Sequence, residues 1–115
     1  MAERLPQGDQ GMRHLVMIAV ASLVSLAAQA ADPDGKQLFQ QKCAMCHGPV
    51  GMGTGLLARR MKPEVAQLEK RDDLSATFVT AFARTGALNM PPITRGDVTD
   101  TQLASIALYL SKGKP

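Results

Sequence analysis

The sequence is poor in aromatic side chains. It contains no tryptophan, one tyrosine (Tyr109) and three phenylalanines among 115 residues. Small domains bury little apolar surface, and most of them need disulfides, metals or partners in addition to a core. The shortage of large apolar side chains therefore indicates that a bound cofactor supplies part of the core.

The sequence also lacks an apolar run that is long enough to cross a membrane. Its apolar run, "LVMIAVASLVSLAA" at residues 15–28, has 14 residues, whereas about 20 are needed to cross a bilayer. Basic residues precede this run, and its last residue, Ala28, forms an A-x-A pattern with Ala30, which is the layout of a secretory signal peptide. We expect residues 1–30 to be removed on export to the periplasm, with Met12 as an alternative start. The alternative is an uncleaved anchor.

Cleavage after Ala30 leaves an 85-residue domain, 31–115, that lacks a strong charge of either sign. This domain has 11 basic and 8 acidic residues, a net charge of +3. Such a weak excess does not indicate a nucleic-acid partner. Five basic residues could form a docking face for an acidic protein, although such clusters are usually solvated surface: Arg59, Arg60, Lys62, Lys70 and Arg71.

No segment of the mature sequence alternates like a strand, and the pattern predicts an all-α domain. "VTDTQLASIALYLSK" carries apolar residues at helical spacing, and Thr99 with Gln102 has the spacing of a capping box. Further helices are predicted in "GKQLFQQKC" after Asp32 or Asp34, in "KPEVAQLEK", and in "DLSATFVTAFARTG" after Asp73 or Ser75. "GPVGMGTG" and "ALNMPPITRGD" are predicted to be loops.

Cysteine and histidine are scarce too, and they are concentrated in one motif. "CAMCH" holds both cysteines, Cys43 and Cys46, and the single histidine of the mature chain, His47. Zinc prefers four ligands, and only three such residues exist here. A thioredoxin-like redox pair normally accompanies a βαβ pattern, which is missing, and a structural disulfide stays open as an alternative.

C-x-x-C-H is the signature of covalent haem attachment. Two thiols one helical turn apart can reach the two vinyl groups of one porphyrin, and His47 then lies under the iron as proximal ligand. Attachment of such haems takes place outside the cytoplasm, in agreement with the predicted export. We therefore predict one covalently bound haem c, with its iron.

The second axial ligand decides what the iron can do. A second histidine is excluded, and the methionines of the mature chain are Met45, Met52, Met61 and Met90. The first two lie too close to His47 to reach the other face, and Met61 lies in a basic stretch. Met90 comes 43 residues after His47 and precedes two prolines that stiffen its loop. We predict Met90 as distal ligand; the alternative is a core methionine.

The chain resembles the monohaem class I cytochromes c over most of its mature length. "GKQLFQQKCAMCHG" is similar to their N-terminal helix and attachment site, "NMPP" to their axial-methionine loop, and "LASIALYL" to their C-terminal helix. The resemblance implies N- and C-terminal helices that cross, with helices and loops wrapped around the haem. Gly35, Phe39, Ile106 and Tyr109 match the positions where these helices meet in the family.

One motif of the family is altered. Many members have a Gly-Pro-x-Leu run whose proline carbonyl accepts a hydrogen bond from the proximal imidazole. Here the run reads "TGLL", with Gly55 at the proline position and Leu57 at the leucine position. A glycine carbonyl can still accept this bond, but the loop is less rigid, so the orientation of His47 is less securely predicted.

The resemblance implies an electron-transfer protein, not an enzyme. We expect a periplasmic one-electron carrier between a dehydrogenase or respiratory donor and an oxidase or cytochrome acceptor. "GTGLLARR" and "MPP" also resemble the cytochrome subunits of periplasmic flavin dehydrogenases such as the 4-cresol-oxidising flavocytochromes. The alternatives are therefore a tightly bound dehydrogenase subunit and a five-coordinate haem protein that binds gases or catalyses a reaction.

Overall fold

The computed structural model describes residues 34–115, and the elements below belong to that part. The predicted signal peptide at 1–30 and the alternative cap Asp32 lie outside these residues. The helices are α1 (Gly35–Lys42), α2 (Ala44–His47), α3 (Met52–Leu57), α4 (Ala76–Thr85) and α5 (Asp100–Ser111), with 3-10 turns at Pro63–Val65 and Leu68–Lys70. Residues 34–115 contain no strand, only an isolated bridge between Ala87 and Met90. The all-α prediction is confirmed.

The three longer helices begin at caps that the sequence identifies. The Asp34 carboxylate accepts from the Gln37 amide at 2.8 Å, and this bond starts α1. At α5, the Thr99 hydroxyl accepts from the Gln102 amide at 3.2 Å, and the Gln102 side chain accepts from the Thr99 amide at 3.0 Å. The cap of α4 is Ser75, and not Asp73. Each cap satisfies a backbone N–H that would otherwise lack a partner.

Helix α5 packs against both α1 and α4, and its crossing with α1 depends on a glycine. A Cβ added at Gly35 would lie 2.1 Å from the carbonyl oxygen of Ser105 and 2.8 Å from the Cβ of Tyr109. Only glycine permits the two backbones to come this close. Phe39 and Tyr109 meet beside the crossing with ring centroids 6.2 Å apart, and Ile106 is 1% exposed. The expected crossing of the terminal helices is thus confirmed.

The core lies between these three helices. It combines aliphatic residues of the helices with Leu74 and Val98 from the connecting segments: Leu38, Phe39, Leu74, Ala83, Val98, Leu103, Ile106 and Leu110. The 3-10 turn at Leu68–Lys70 is fastened to α5, because the Tyr109 hydroxyl donates to Glu69 Oε1 at 2.5 Å. In the described range, no helix combines the length and the apolar character that a bilayer crossing requires.

Two local predictions are wrong. The glycine-rich segment 48–55 was expected to be loop, yet its second half forms α3, because Thr54 and the close approach of Gly53 to the preceding turn hold it there. "KPEVAQLEK" forms two 3-10 turns instead of one helix. Gln67 has extended dihedral angles (φ −77°, ψ 122°) and separates them.

Candidate functional site

The two cysteines and His47 lie on one short helical segment directly after α1. Cys43 ends α1, where its amide donates to the Phe39 carbonyl at 2.9 Å, and its own carbonyl accepts from the His47 amide at 2.9 Å. Because Phe39 is fully buried, the segment is tied to the core at its first residue. Cys43 is half-buried against the core, whereas Cys46 is exposed.

Both cysteines are free thiols within the described residues, so the structure does not contain the alternative disulfide. Burial, with a smaller contribution from the neighbouring Cys46, raises the pKa of the Cys43 thiol to about 11. Cys43 is therefore a protonated thiol at neutral pH. Two reduced thiols at this spacing are the groups that covalent haem attachment consumes.

The imidazole of His47 has a buried polar atom without a partner. Its Nδ1 is buried and makes no hydrogen bond to any residue of 34–115. Burial lowers the pKa of His47, so the neutral imidazole, which is the form that binds a metal, is favoured.

Helix α3 forms one wall beside this imidazole. A Cβ added at Gly53 would lie 3.2 Å from His47 Cε1 and 2.8 Å from the Cys46 carbonyl oxygen. The Thr54 hydroxyl is buried and donates to the Gly48 carbonyl at 2.7 Å, which joins α3 to the turn after His47. The glycine at 53 therefore lets the helix lie directly against the imidazole.

The hydrogen bond expected from His47 to the Gly55 carbonyl is not formed, since Nδ1 has no partner in the described chain. Gly55 lies within α3, where carbonyl groups point along the helix axis. No described atom lies within 4 Å of a Cβ added at Gly55, so this residue does not approach the ring as Gly53 does.

Met90 is half-buried at the end of a tight turn. The Ala87 amide donates to the Met90 carbonyl at 3.0 Å, and the Met90 amide donates to the Ala87 carbonyl at 2.9 Å. Gly86 allows this turn: its φ is +70°, and an added Cβ would lie 2.6 Å from the Met90 carbonyl oxygen. A left-handed φ of this kind favours glycine.

The other methionines have different surroundings. Met45 and Met52 are 89% and 68% exposed. Met61 is half-buried and lines a shallow groove with Val65, Lys70 and the Arg71–Asp73 segment. The Met61 amide donates to the Leu57 carbonyl at 3.0 Å, but among the described residues Met61 has no reciprocal pair of backbone bonds such as that between Ala87 and Met90.

Helix α4 presents two aromatic rings at the surface. Phe78 and Phe82 stack with centroids 4.2 Å apart, and each is 43% exposed. Exposed aromatic groups that adjoin one another indicate a surface that binds another apolar group. They lie on the helix that leads directly into the Met90 turn.

The five basic residues suggested as a docking face are not equivalent. Arg71 is largely covered and binds Asp73 with two hydrogen bonds, of 2.8 and 2.7 Å. Arg59, Arg60, Lys62 and Lys70 are exposed. Among the described residues, the positive charge of this suggested docking face that is not paired with a carboxylate therefore comes from these four residues.

Sequence reasoning missed Arg84, whose side chain is only 16% exposed. It binds the chain on both sides of the turn at 94–97. A single arginine in the last turn of an otherwise uncharged helix is the only signal in the sequence. That signal is weak, because basic residues are common at helix C-termini for other reasons.

The described residues contain no group of three or more His, Cys, Asp or Glu side chains that could hold a metal ion by themselves. They do fit a covalently attached haem: two free thiols at attachment spacing, a half-buried imidazole directly after the second thiol, and exposed aromatic rings. No curated protein and no solved structure shows significant similarity to the chain. A family model described as cytochrome c oxidase, cbb3-type, subunit III matches residues 30–110. The chain therefore belongs to this family of small c-type cytochrome domains and carries a covalently bound haem with its iron, which is the basis of electron transfer.

Proposed function

We propose that the protein is a periplasmic one-electron carrier whose haem is attached through Cys43 and Cys46 and bound axially by His47 and Met90. The observation that carries this proposal is the half-buried His47 imidazole on the same helical turn as two free thiols. When bound, the haem supplies an iron that changes between two oxidation states.

His47 is the proximal ligand in this proposal. Its backbone is fixed by the bond to Cys43, and its ring is confined on one side by α3 at Gly53. The segment therefore orients the imidazole before any ligand binds, which reduces the ordering that ligation requires. The missing acceptor for Nδ1 leaves the ring without the hydrogen bond that usually raises the basicity of a histidine ligand.

Met90 is the distal ligand, and a thioether in that position favours reduced iron. The closed turn at 87–90 restrains its backbone, and the stacked Phe78 and Phe82 rings offer apolar surface that can exclude water. With both axial positions taken by His47 and Met90, no position is left for a substrate. This arrangement supports electron transfer in preference to gas binding or catalysis.

Export and the partners are part of the proposal. The signal-like residues 1–30 support periplasmic location, and mass spectrometry of the purified haem protein should show a chain that begins at residue 31. The exposed Arg59, Arg60, Lys62 and Lys70 would favour encounter with an acidic face of a redox partner. We propose a dehydrogenase or respiratory donor and an oxidase or cytochrome acceptor.

The ligation is tested by the optical spectrum of the haem-loaded protein and its Met90→Ala variant. We expect a low-spin spectrum with the weak red band of sulfur-to-iron charge transfer, and we expect Met90→Ala to abolish this band. Met61→Ala is the matched control and should retain it. An unchanged spectrum in Met90→Ala, or a high-spin wild type that binds carbon monoxide, would refute the His47–Met90 assignment.

A second candidate has the same chemistry but a permanent partner. The matched family is described as an oxidase subunit, which favours a cytochrome that stays bound to an oxidoreductase, as the resemblance to flavin dehydrogenase subunits also does. Gel filtration of the protein from its native host separates the two. A free carrier elutes at the size of one small chain, and a fixed subunit elutes with its partner.

A further inference from the structure

Arg84 is buried to an unusual degree for an arginine. Its side chain is 16% exposed, and its Nε is buried without a hydrogen-bond partner among the described residues. Arginine is seldom buried unless its charge and donors are used. The hydrogen bonds of the other two guanidinium nitrogens show which acceptors use the charge and donors of Arg84.

The guanidinium binds three acceptors, all of which follow Met90 in the sequence. Nη1 donates to the Ile93 carbonyl at 3.0 Å, and Nη2 donates to the Val98 carbonyl at 3.0 Å and to Asp100 Oδ1 at 2.8 Å. Asp100 is the first residue of α5. Arg84 therefore joins the end of α4, the segment after Met90 and the start of α5.

Ile93 is the first residue after Met90 that can be anchored by its own amide. Pro91 and Pro92 have no N–H, so neither can donate a backbone hydrogen bond. The Ile93 amide donates to the Ala83 carbonyl at 2.7 Å, and its carbonyl accepts from Arg84. Ala83 and Arg84, which are consecutive in α4, thus bind the amide and the carbonyl of Ile93.

The segment before Met90 is held independently by the reciprocal Ala87–Met90 hydrogen bonds and the close approach of Gly86. Met90 lies between this turn and the Ile93 anchor. Loss of the Arg84 side chain would leave the second end of the loop held only by the hydrogen bond from the Ile93 amide to the Ala83 carbonyl, and would leave the turn itself intact. A loop held less firmly at one end populates more conformations, and this lowers the fraction in which the sulfur is positioned to bind.

We propose that Arg84 is a positioning residue that holds the Met90 loop in its ligating arrangement. The proposal rests on the proposed function, since it assumes that Met90 binds the iron. Arg84 acts through Ile93 and Val98, and does not itself touch the cofactor in this proposal. An external ligand that competes with Met90 should therefore bind more tightly when Arg84 is replaced.

The test compares three variants of the full haem-loaded chain. Arg84→Gln removes the guanidinium, and Arg84→Lys keeps the charge but can reach fewer of the acceptors. Arg95→Gln is the matched control, because Arg95 binds the same carboxylate, Nε to Asp100 Oδ2 at 2.9 Å, but is 74% exposed. Within residues 34–115 it makes no hydrogen bond to the backbone around Ile93.

The measurement is the apparent affinity of the oxidised protein for imidazole, together with the sulfur-to-iron charge-transfer band. Both are recorded at a temperature where far-ultraviolet circular dichroism shows every variant folded. We expect imidazole to bind Arg84→Gln about tenfold more tightly than wild type, the change that ~1.4 kcal/mol produces. Arg84→Lys should show a smaller increase, and Arg95→Gln should match wild type.

Three outcomes overturn the proposal. If Arg84→Gln lowers only the melting temperature and binds imidazole like Arg95→Gln, Arg84 has a structural role alone. If Arg84→Gln does not accumulate, Arg84→Lys decides, and wild-type imidazole affinity in that variant refutes positioning. If wild type itself lacks the charge-transfer band, the ligation by Met90 fails first, and the role of Arg84 fails with it.

Discussion

Replacement of Gly53 by alanine tests how closely α3 approaches the histidine. The new Cβ would lie 2.8 Å from the Cys46 carbonyl oxygen and 3.2 Å from His47 Cε1. The 2.8 Å distance to the Cys46 carbonyl oxygen is shorter than real Cβ contacts. This oxygen belongs to the backbone, which cannot rotate away as a side chain can. Either α3 or the segment that carries His47 must therefore move.

The size of the stability change expected for Gly53→Ala follows from a comparison with Gly55→Ala in the same helix. Both substitutions replace a helical glycine and should gain about 0.5–1 kcal/mol from helix propensity. No described atom lies within 4 Å of a Cβ at position 55, so Gly55→Ala keeps this gain. Gly53→Ala also meets an overpacking cost of ~1–3 kcal/mol.

The difference in unfolding free energy between the two variants isolates the contact. We expect Gly53→Ala to be less stable than Gly55→Ala by about 1–3 kcal/mol, measured by denaturant unfolding of the haem-loaded protein. In a domain of this size, each kcal/mol corresponds to about 4–8 °C in melting temperature. The haem absorption of Gly53→Ala should also shift, because the ring of His47 is displaced.

Equal stability of the two variants would refute this reasoning. It would mean that α3 does not lie against the Cys46–His47 segment at the distance found here. An unchanged haem spectrum combined with lower stability would mean that the backbone at Cys46 absorbs the strain and that the imidazole does not move.

Three further predictions concern the helix crossing and the caps. Gly35→Ala places a Cβ 2.1 Å from the Ser105 carbonyl oxygen and should destabilise the protein by about 3 kcal/mol or more, measured by denaturant unfolding. The hydrogen bond to Glu69, with burial, raises the pKa of Tyr109 to about 12. The stabilising effect of this hydrogen bond is therefore complete below about pH 10, which is the ordinary pKa of tyrosine. It is lost as the pH rises through the pKa that Tyr109 has in the folded protein. Unfolding measured on both sides of this window should show that loss in wild type and not in Tyr109→Phe; the same loss in both would contradict the assignment. Thr99→Ala removes half of the α5 capping box and should cost ~1 kcal/mol in thermal melts, and an unchanged melting temperature would show that the cap is dispensable.

The sequence alone was sufficient for the helical class and for the covalently bound haem. The cap interactions of Asp34, Ser75 and Thr99 each join residues three positions apart, and the C-x-x-C-H motif spans five consecutive residues. Such interactions are local, so spacing along the chain determines them. The resemblance to a known family added the crossing at Gly35.

Only the tertiary structure decided which distant residues bind one another. Arg84 binds carbonyls 9 and 14 residues away, and Tyr109 binds Glu69 across 40 residues. The glycine-rich stretch after His47 became a helix because Gly53 fits against the Cys46–His47 turn, although its composition predicts a loop. These contacts depend on which faces meet after folding. Periodicity and spacing along the sequence do not show which distant residues come into contact. Caps and short motifs involve only residues within about one helical turn, so spacing is enough to identify them.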